Sequence, residues 1–598
     1  VEVPSEIVYI AIFFAVIYII IRLLSQRSPS VKELKQEHKR KQLRRIPFSC
    51  ITEPNHKEVG GNLSDQVKWK IEKSPKLSMA KFMSMQCECA PKIGLGQIAP
   101  SCIYAETPLI YHICQAGNYC AIKRQATEVT TFDSKMLNKF ENWFNGVFNR
   151  EIKPMLDMFD YSLSEWNNHL SRKQQRELLK IDKLRLRRTN KYTMFVKVEK
   201  QAFENGVPPK NRCICCPEPE RKYAMGPVVY ALERMFAKTF KGYCGGKNWE
   251  QLEDFYNDCH FKGYGKTVQL DGSGFDRTQH IELKRIVDFT IYRYLAKMGK
   301  IHHVSNSTFL YYATMEQKRI EVSWFEKKEK KTLGYIDIIG TVLSGDPDTT
   351  LMNTLRMALY NRFVIECMLK CKEYDLLSKG DDATVWLPDY ISDENIRRAY
   401  LKVFSMEKTG KYGLGQIAKY LKIGNIEDVD FCSTSTMWSH SLQSYKIIRK
   451  LDRFFTYTAW SRKALHMTEL ETALYKNAVG ESILSWGEGM PLIDEYARNL
   501  ITPINKEEFT EYIQKKAHGE EKDKEFDDLV RIVKYENIYD KDFIYTRQDN
   551  ISSRRPSKDD YLDYYFRKYK LTHTEIREMS DEIVANPIEL VHPGFKSF

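Results

Sequence analysis

The chain lacks paired Cys-x2-Cys motifs: the one such spacing, Cys213 to Cys216, has no second to match it. Its 14 cysteines are scattered over 598 residues, which excludes a small secreted scaffold held by disulfides. Two local concentrations lack the paired spacing of a zinc site: Cys87, Cys89, Cys102, His112, Cys114 and Cys120, then Cys213, Cys215 and Cys216. Buried free thiols are the expectation for both, so the body of the chain belongs in a reducing compartment. Long apolar runs are also scarce. One exists over residues 7–21, extended past Arg22 by Leu23 and Leu24. It falls slightly short of the roughly 20 residues that span a bilayer, and Arg22 can snorkel to lengthen it. A secretory signal needs a basic start and a small-residue cleavage site. Here Glu2 and Glu6 precede the run and no such site follows. Hydrophobicity all round sets the run apart from an ordinary core helix, so residues 7–24 are expected to anchor the chain in a membrane. An acidic balance is missing too: Lys and Arg number 92 against 79 Asp and Glu, a formal charge of +13. That excess suits a polyanionic partner, although solvated basic faces produce it as well.

The length suggests about three or four domain-sized units. Behind the anchor lie Arg22, Arg27, Lys32, Lys35, Lys39, Arg40, Lys41, Arg44 and Arg45. Such a flank marks the cytoplasmic side and attracts anionic lipid. The interleaved Glu33 and Glu37 equally suit a solvated helix. Residues 46–75 are polar, contain Gly60-Gly61 and read as linker. Patterning predicts helices over 137–159, 163–188, 224–240 and 280–298, from Thr349 toward Cys371, and over 396–404, 442–453, 459–479 and 523–535. Strands are expected over 195–200, near 309–313 and 322–325, and over 335–343. The tail from 541 to 570, dense in Arg, Lys, Asp and Tyr, reads as solvated.

Three stretches carry chemistry. Residues 376–387 place Gly380-Asp381-Asp382 between apolar flanks, a hairpin with two carboxylates at its turn. Alone, that tripeptide fits an ordinary solvated turn. Residues 268–276 read as a short strand ending in Asp271, a Gly-rich turn and a second carboxylate, Asp276. If the two strands are neighbours, Asp271, Asp381 and Asp382 supply enough hard oxygen for two Mg²⁺ ions. Between them a Gly/Pro/Asp loop, Ser344-Gly345-Asp346-Pro347-Asp348, enters a helix on which Thr349 and Asn353 share a face.

Asp-x4-Asp, Ser-Gly-x3-Thr-x3-Asn and Gly-Asp-Asp, in that order, resemble motifs A, B and C of viral RNA-dependent RNA polymerases. The resemblance covers about residues 195–438 and is architectural beyond that. Lys197-x-Glu199 with Arg212-x-Ile214 is similar to motif F, the basic hairpin over the incoming triphosphate, where cations must neutralise phosphate. Lys197 and Arg212 are the first choices there; Lys200, Lys210 and Arg221 follow. Motif D often supplies a lysine as general acid. Lys402, Lys408, Lys411, Lys419 and Lys422 compete, and Lys408 is taken. Residues 429–433 resemble motif E, which grips the growing 3′ end.

The resemblance implies an α+β right-hand polymerase: fingers, palm and thumb, an antiparallel palm sheet and an N-terminal membrane-anchor helix. The domains would be 1–45 anchor and basic flank, 46–75 linker, 76–190 N-terminal extension and outer fingers, 191–262 fingers with motif F, 263–438 palm, and 439–598 thumb and tail. Implied catalytic residues are Asp271, Asp381, Asp382 and Lys408, with Asp271 and Asp381 the main ligands of Mg²⁺, or of Mn²⁺ in its place. Asp276, Ser344, Gly345, Thr349, Asn353, Lys197, Lys200, Arg212 and Arg221 would bind substrate. Implied partners are RNA template and product, nucleoside triphosphates, a host membrane through residues 7–24, and other replicase proteins or a second copy. The catalytic body would face the host cytoplasm. Gly-Asp-Asp and the anchor point to positive-strand RNA viruses, with an arrangement resembling tombusvirus-like and nodavirus-like replicases. Two rival readings remain. A reverse transcriptase would carry a bulky residue at position 276 and usually Ala-Asp-Asp at the hairpin. A membrane-anchored RNA-binding scaffold would not need Asp271, Asp381 and Asp382 intact.

Overall fold

The computed structural model describes residues 77–82, 96–97, 131–183, 185–197, 212–326, 329–406, 413–458, 460–461, 469–501 and 555–585. The expected anchor, its basic flank, the linker and the helix over 523–535 lie outside these residues. Among the described residues no helix is long and apolar enough to cross a membrane.

The chain is α+β. Its strands in order are β1 (Leu77–Phe82), β2 (Gly96–Gln97), β3 (Lys191–Val196), β4 (Cys213–Pro217), β5 (Lys266–Gly272), β6 (Gln317–Glu326), β7 (Glu329–Ile339), β8 (Asp375–Lys379), β9 (Asp382–Leu387), β10 (Phe404–Ser405), β11 (Gln416–Gly424), β12 (Asp430–Phe431), β13 (Thr434–Ser439), β14 (Ser444–Arg449) and β15 (Trp460–Ser461). The central sheet runs β10-β11-β5-β9-β8. It is antiparallel from β11 to β8, as expected, but β10 joins its edge parallel to β11. A second five-stranded sheet runs β1-β7-β6-β3-β4, a third β12-β13-β14, and β2 pairs with β15.

Period-two alternation decides what each face of the central sheet covers. Val268, Leu270, Ala383 and Val385 enter the largest core. There they meet the helix Thr349–Phe363, in which every residue from Leu351 to Phe363 is buried. A helix buried on all sides belongs in the middle of a domain, and this one backs the β8–β9 hairpin. The opposite face sends Trp386 into a smaller core with Tyr256, Cys259, Val429 and Phe431. A third core joins the helices Leu451–Thr458, Glu469–Gly487, Ile493–Leu500, Lys558–Tyr569 and His573–Ala585. The described cysteines are all free thiols, five of them buried.

Several elements differ from expectation. Residues 309–313 belong to a helix, Asn306–Ala313, not a strand. Ser305 caps it by accepting from Thr308 N, and Phe309, Tyr312 and Ala313 bury one side. A short apolar run has no period strong enough to separate the two. The helix expected over 442–453 is instead β14 followed by the helix Leu451–Thr458. Gln443 turns the chain with a positive φ of 49°, and β14 then pairs with β13. The helix expected over 163–188 is two, Leu163–His169 and Arg172–Leu179, split where Ser171 starts a new capping box. The basic residues after it are irregular.

The tail also differs. Residues 558–569 form a helix that is docked rather than solvated, with Tyr561, Tyr564 and Tyr565 buried at helical spacing. Its anchor is the buried Asp560, which accepts from Ser439 Oγ at 2.9 Å, His440 N at 2.8 Å and Ser441 Oγ at 2.5 Å. Burial alone would raise this carboxyl; the serine donors outweigh it and hold it below the ordinary range.

Candidate active site

The register of the central sheet assembles one row of side chains. Asp271 on β5 is paired with Asp382 on β9 and with Tyr420 on β11, and Asp382 is paired with Lys379 on β8. Directly opposed residues project to the same face with Cβ atoms about 5 Å apart. Two carboxylates are thus set side by side, 111 positions apart in sequence. The hairpin turns through Gly380, whose φ of 63° is left-handed, and Gly380 N donates to Thr354 Oγ1 at 3.0 Å. The tip is thereby tied to the long buried helix.

The neighbours of this row feel its charge. The Tyr420 hydroxyl is pushed well above its ordinary value, first by burial and then by Asp271, Asp382, Asp430 and Asp381. The Cys432 thiol is pushed up to about 12 by burial and by Asp382, to which it hydrogen-bonds. Asp381 is exposed at the tip, yet the surrounding protein strips enough water to raise its carboxyl. The charges of Arg212 and Lys419 oppose that rise without cancelling it. Arg212, exposed just before β4, thus acts on the hairpin tip through its charge. Its carbonyl accepts from Lys197 N at 2.8 Å, which sets exposed Lys197 beside it.

The loop expected to be motif B lies against β4. Cys215 N donates to Ser344 O at 2.6 Å. Gly345 has φ +113°, and a Cβ there would stand 2.6 Å from Cys215 O. Only glycine permits that approach. Ser344 and Gly345 are exposed, while Asp346 is buried. The Thr349 hydroxyl donates to Leu343 O at 2.8 Å, closing the loop onto its own helix. One turn later Asn353 Nδ2 donates to Asp276 Oδ1 at 2.6 Å. The expected neighbours from motifs A and B are therefore in contact. The acceptor of the same amide is also engaged: Arg356 Nη2 donates to Asn353 Oδ1 at 2.7 Å.

Arg221 does not join this cleft. It is 3% exposed, and its Nε donates to Asp346 Oδ1 at 2.8 Å. Lys318 Nζ reaches Asp346 Oδ2, also at 2.8 Å. Arg221 braces the loop over 344–348 from behind, and its burial keeps it from the substrate contact expected of it. The sequence marks a basic residue after β4 but not the buried acid that claims it. Lys200, Lys408, Lys210 and Lys411 lie outside the described residues. Among the remaining lysines weighed for motif D, Lys422 is ion-paired with Asp428 at 3.1 Å. Lys402 is exposed on the helix Asp393–Val403, and Lys419 acts on Asp381. Tyr420 and Arg356 went unmarked. Tyr420 was findable only by recognising β11 and its register against β5.

Among the described residues, no three His, Cys, Asp or Glu side chains form a ready-made metal cage. Mg²⁺ does not require one: one or two carboxylates, water and substrate phosphate complete its shell. The paired Asp271 and Asp382, with Asp381 at the adjacent turn, are a hard-oxygen donor set that fits Mg²⁺ or Mn²⁺. No protein-family model and no curated protein matches the chain.

Proposed function

We propose that the chain is an RNA-dependent RNA polymerase that copies a viral RNA genome, built as a right hand. Residues 263–438 serve as palm, 191–262 as fingers with 76–190 as their outer part, and 439–598 as thumb and tail. The observation that carries the reading is the Asn353–Asp276 hydrogen bond, between residues 77 positions apart, beside the paired Asp271 and Asp382. A carboxylate pair alone suits many metal enzymes. A carboxylate–amide pair next to it supplies an acceptor and a donor where a sugar hydroxyl has to be read.

Asp271, Asp382 and Asp381 would hold a pair of Mg²⁺ ions, which when bound would supply alignment of the 3′-hydroxyl with the α-phosphate and charge stabilisation on the attacking and leaving oxygens. The chain's own residues do the rest. Arg212 and Lys197 bind the triphosphate by charge-assisted hydrogen bonds. Asp276 and Asn353 hold the 2′-hydroxyl, and the Ser344-Gly345 loop lies against the nucleotide. Lys408 gives a proton to the departing pyrophosphate, with Lys419 the alternative. Residues 7–24 hold the enzyme at a host membrane with the catalytic body in the cytoplasm, where other replicase proteins or further copies join it. The organisation is that of tombusvirus-like and nodavirus-like replicases.

The test is extension on an RNA template with ribonucleotides and Mg²⁺, with and without primer. Metal-dependent incorporation that favours ribo- over deoxynucleotides is expected. Absence of incorporation with RNA binding retained would leave a scaffold; preference for deoxynucleotides would leave a reverse transcriptase.

A further inference from the structure

We propose that Arg356, held by Asp288, is a positioning residue that fixes the Asn353 amide for sugar selection; this rests on the polymerase reading. Arg356 lies three residues past Asn353, on the same side of the helix Thr349–Phe363. Its guanidinium is forked between two partners. Nη2 donates to Asn353 Oδ1 at 2.7 Å, and Nη1 donates to Asp288 Oδ2 at 2.5 Å. Arg356 and Asp288 side chains are 0% and 1% exposed.

A guanidinium only donates and a carboxylate only accepts. The Asn353 amide, set between Arg356 and Asp276, can therefore point only one way. Its oxygen faces the cation and its nitrogen faces Asp276 Oδ1 at 2.6 Å. Asp276 alone disfavours the flipped amide but leaves the side chain free to swing away. Arg356 pulls from the other end and removes that freedom. It also polarises the amide, which strengthens the N–H as a donor. The order of the chain is thus Asp288, Arg356, Asn353, Asp276: Arg356 donates at both of its ends, and Asn353 donates onward to Asp276. What remains to meet a sugar hydroxyl is the second N–H of Asn353 beside the carboxylate of Asp276.

Among the described residues, the buried Asp288 Oδ1 and Arg356 Nε have no hydrogen-bond partner. An ion pair serving only to join two helices would be cheaper as apolar packing. Groups left short of partners concentrate where geometry serves function. A site that hydrogen-bonds a hydroxyl rejects the analogue lacking it only while its donor and acceptor stay in place.

The test measures kcat/KM for matched ribo- and deoxynucleotides on one template, alongside thermal unfolding. Arg356→Lys keeps the charge toward Asp288 but loses the fork. It should lower the ribo-over-deoxy ratio by about tenfold, the scale of one lost hydrogen bond to a charged group, with a smaller loss of ribonucleotide rate. Adding Arg356→Lys to Asn353→Ala should lower the ratio no further, because both act through one amide. Asp288→Asn, a milder change, should shift the ratio in the same direction and covers the case in which Arg356→Lys does not fold. If wild type prefers ribonucleotides and either folded variant keeps its ratio, the positioning role is overturned while the polymerase reading stands. If wild type incorporates nothing, both fall.

Discussion

Asp346→Asn should destabilise the protein by about 3–5 kcal/mol at neutral pH, the cost of breaking a buried ion pair from one side. The structure sets the scale. Asp346 accepts from Tyr192 Oη at 2.7 Å, Arg221 Nε at 2.8 Å and Lys318 Nζ at 2.8 Å. The Asp346 side chain is 1% exposed, and those of Arg221 and Lys318 are 4% and 0%. Burial alone would raise the carboxyl; Arg221, Lys318 and Lys284 outweigh it and hold it far below the carboxylate range. Asparagine preserves the shape but can satisfy only one cation with its oxygen. Its NH₂ would then face the other. A folded pKa below the unfolded value means that stability is present above roughly pH 4 and lost as pH falls toward the folded value. The gap between wild type and Asp346→Asn should therefore be full at pH 7 and narrow below pH 4. Urea titration of wild type, Asp346→Asn, Lys318→Met and the double variant measures it. The double variant should lose less than the sum, because removing both partners leaves less unpaired charge. A cost below about 1 kcal/mol for Asp346→Asn, the scale of a surface pair, would refute the buried network as described.

Asp381→Asn should lower nucleotide incorporation by at least about 10²-fold, roughly 2.7 kcal/mol of barrier. Because the folded carboxyl is raised, its charged form opposes folding above the unfolded value, so the same variant should unfold at a slightly higher temperature; calorimetry and primer extension on one preparation check both. Arg212→Ala should raise the apparent KM for nucleotide, and Arg212→Lys should recover only part of it, since the planar fork is gone; an unchanged nucleotide dependence would take Arg212 out of phosphate binding. Deleting residues 1–45 should release the protein from membranes without abolishing polymerisation on a supplied template, as read by flotation and by extension; flotation as efficient as full length would sink the anchor.

The parts of the site legible in the sequence were those carried by local rules. Gly380-Asp381-Asp382 between apolar flanks announces a hairpin, and β8 and β9 form it. Thr349 and Asn353, four apart, announce one face of a helix. The rest depends on which distant element a residue meets. Arg221 and Arg212 are both basic residues near β4; one is buried by Asp346 and one is left at the cleft. No local feature separates them, because the deciding acid lies 125 positions away from Arg221. The docked helix Lys558–Tyr569 was hidden for a related reason. Its charged composition looks solvated, while its three buried tyrosines make sense only against the core that receives them. Arg356 is the subtler case. A charge inside an apolar helix signals a buried partner, but nothing in sequence says that the partner is Asp288 or that the other branch of the fork holds Asn353.

The choice between Asp381 and Asp382 turns on a single residue of register. The expectation made Asp381 the main companion of Asp271; the sheet opposes Asp382 to it. The core fixes that choice. Leu270 opposite Ala383 and Val268 opposite Val385 bury one face, and a one-residue slip of β9 would turn its apolar side chains to the wrong side. The turn agrees with the core. With Lys379 paired to Asp382, the loop is two residues, and Gly380 takes its first central position with positive φ, where a type II′ hairpin turn favours glycine. Asp381 is left at the second position, outside the ladder, where Arg212 and Lys419 act on it. The two carboxylates of the tripeptide are thus differentiated by the fold before any ligand arrives. Asp382 is fixed in the row beside Asp271, and Asp381 stands at the turn within reach of the charges of Arg212 and Lys419.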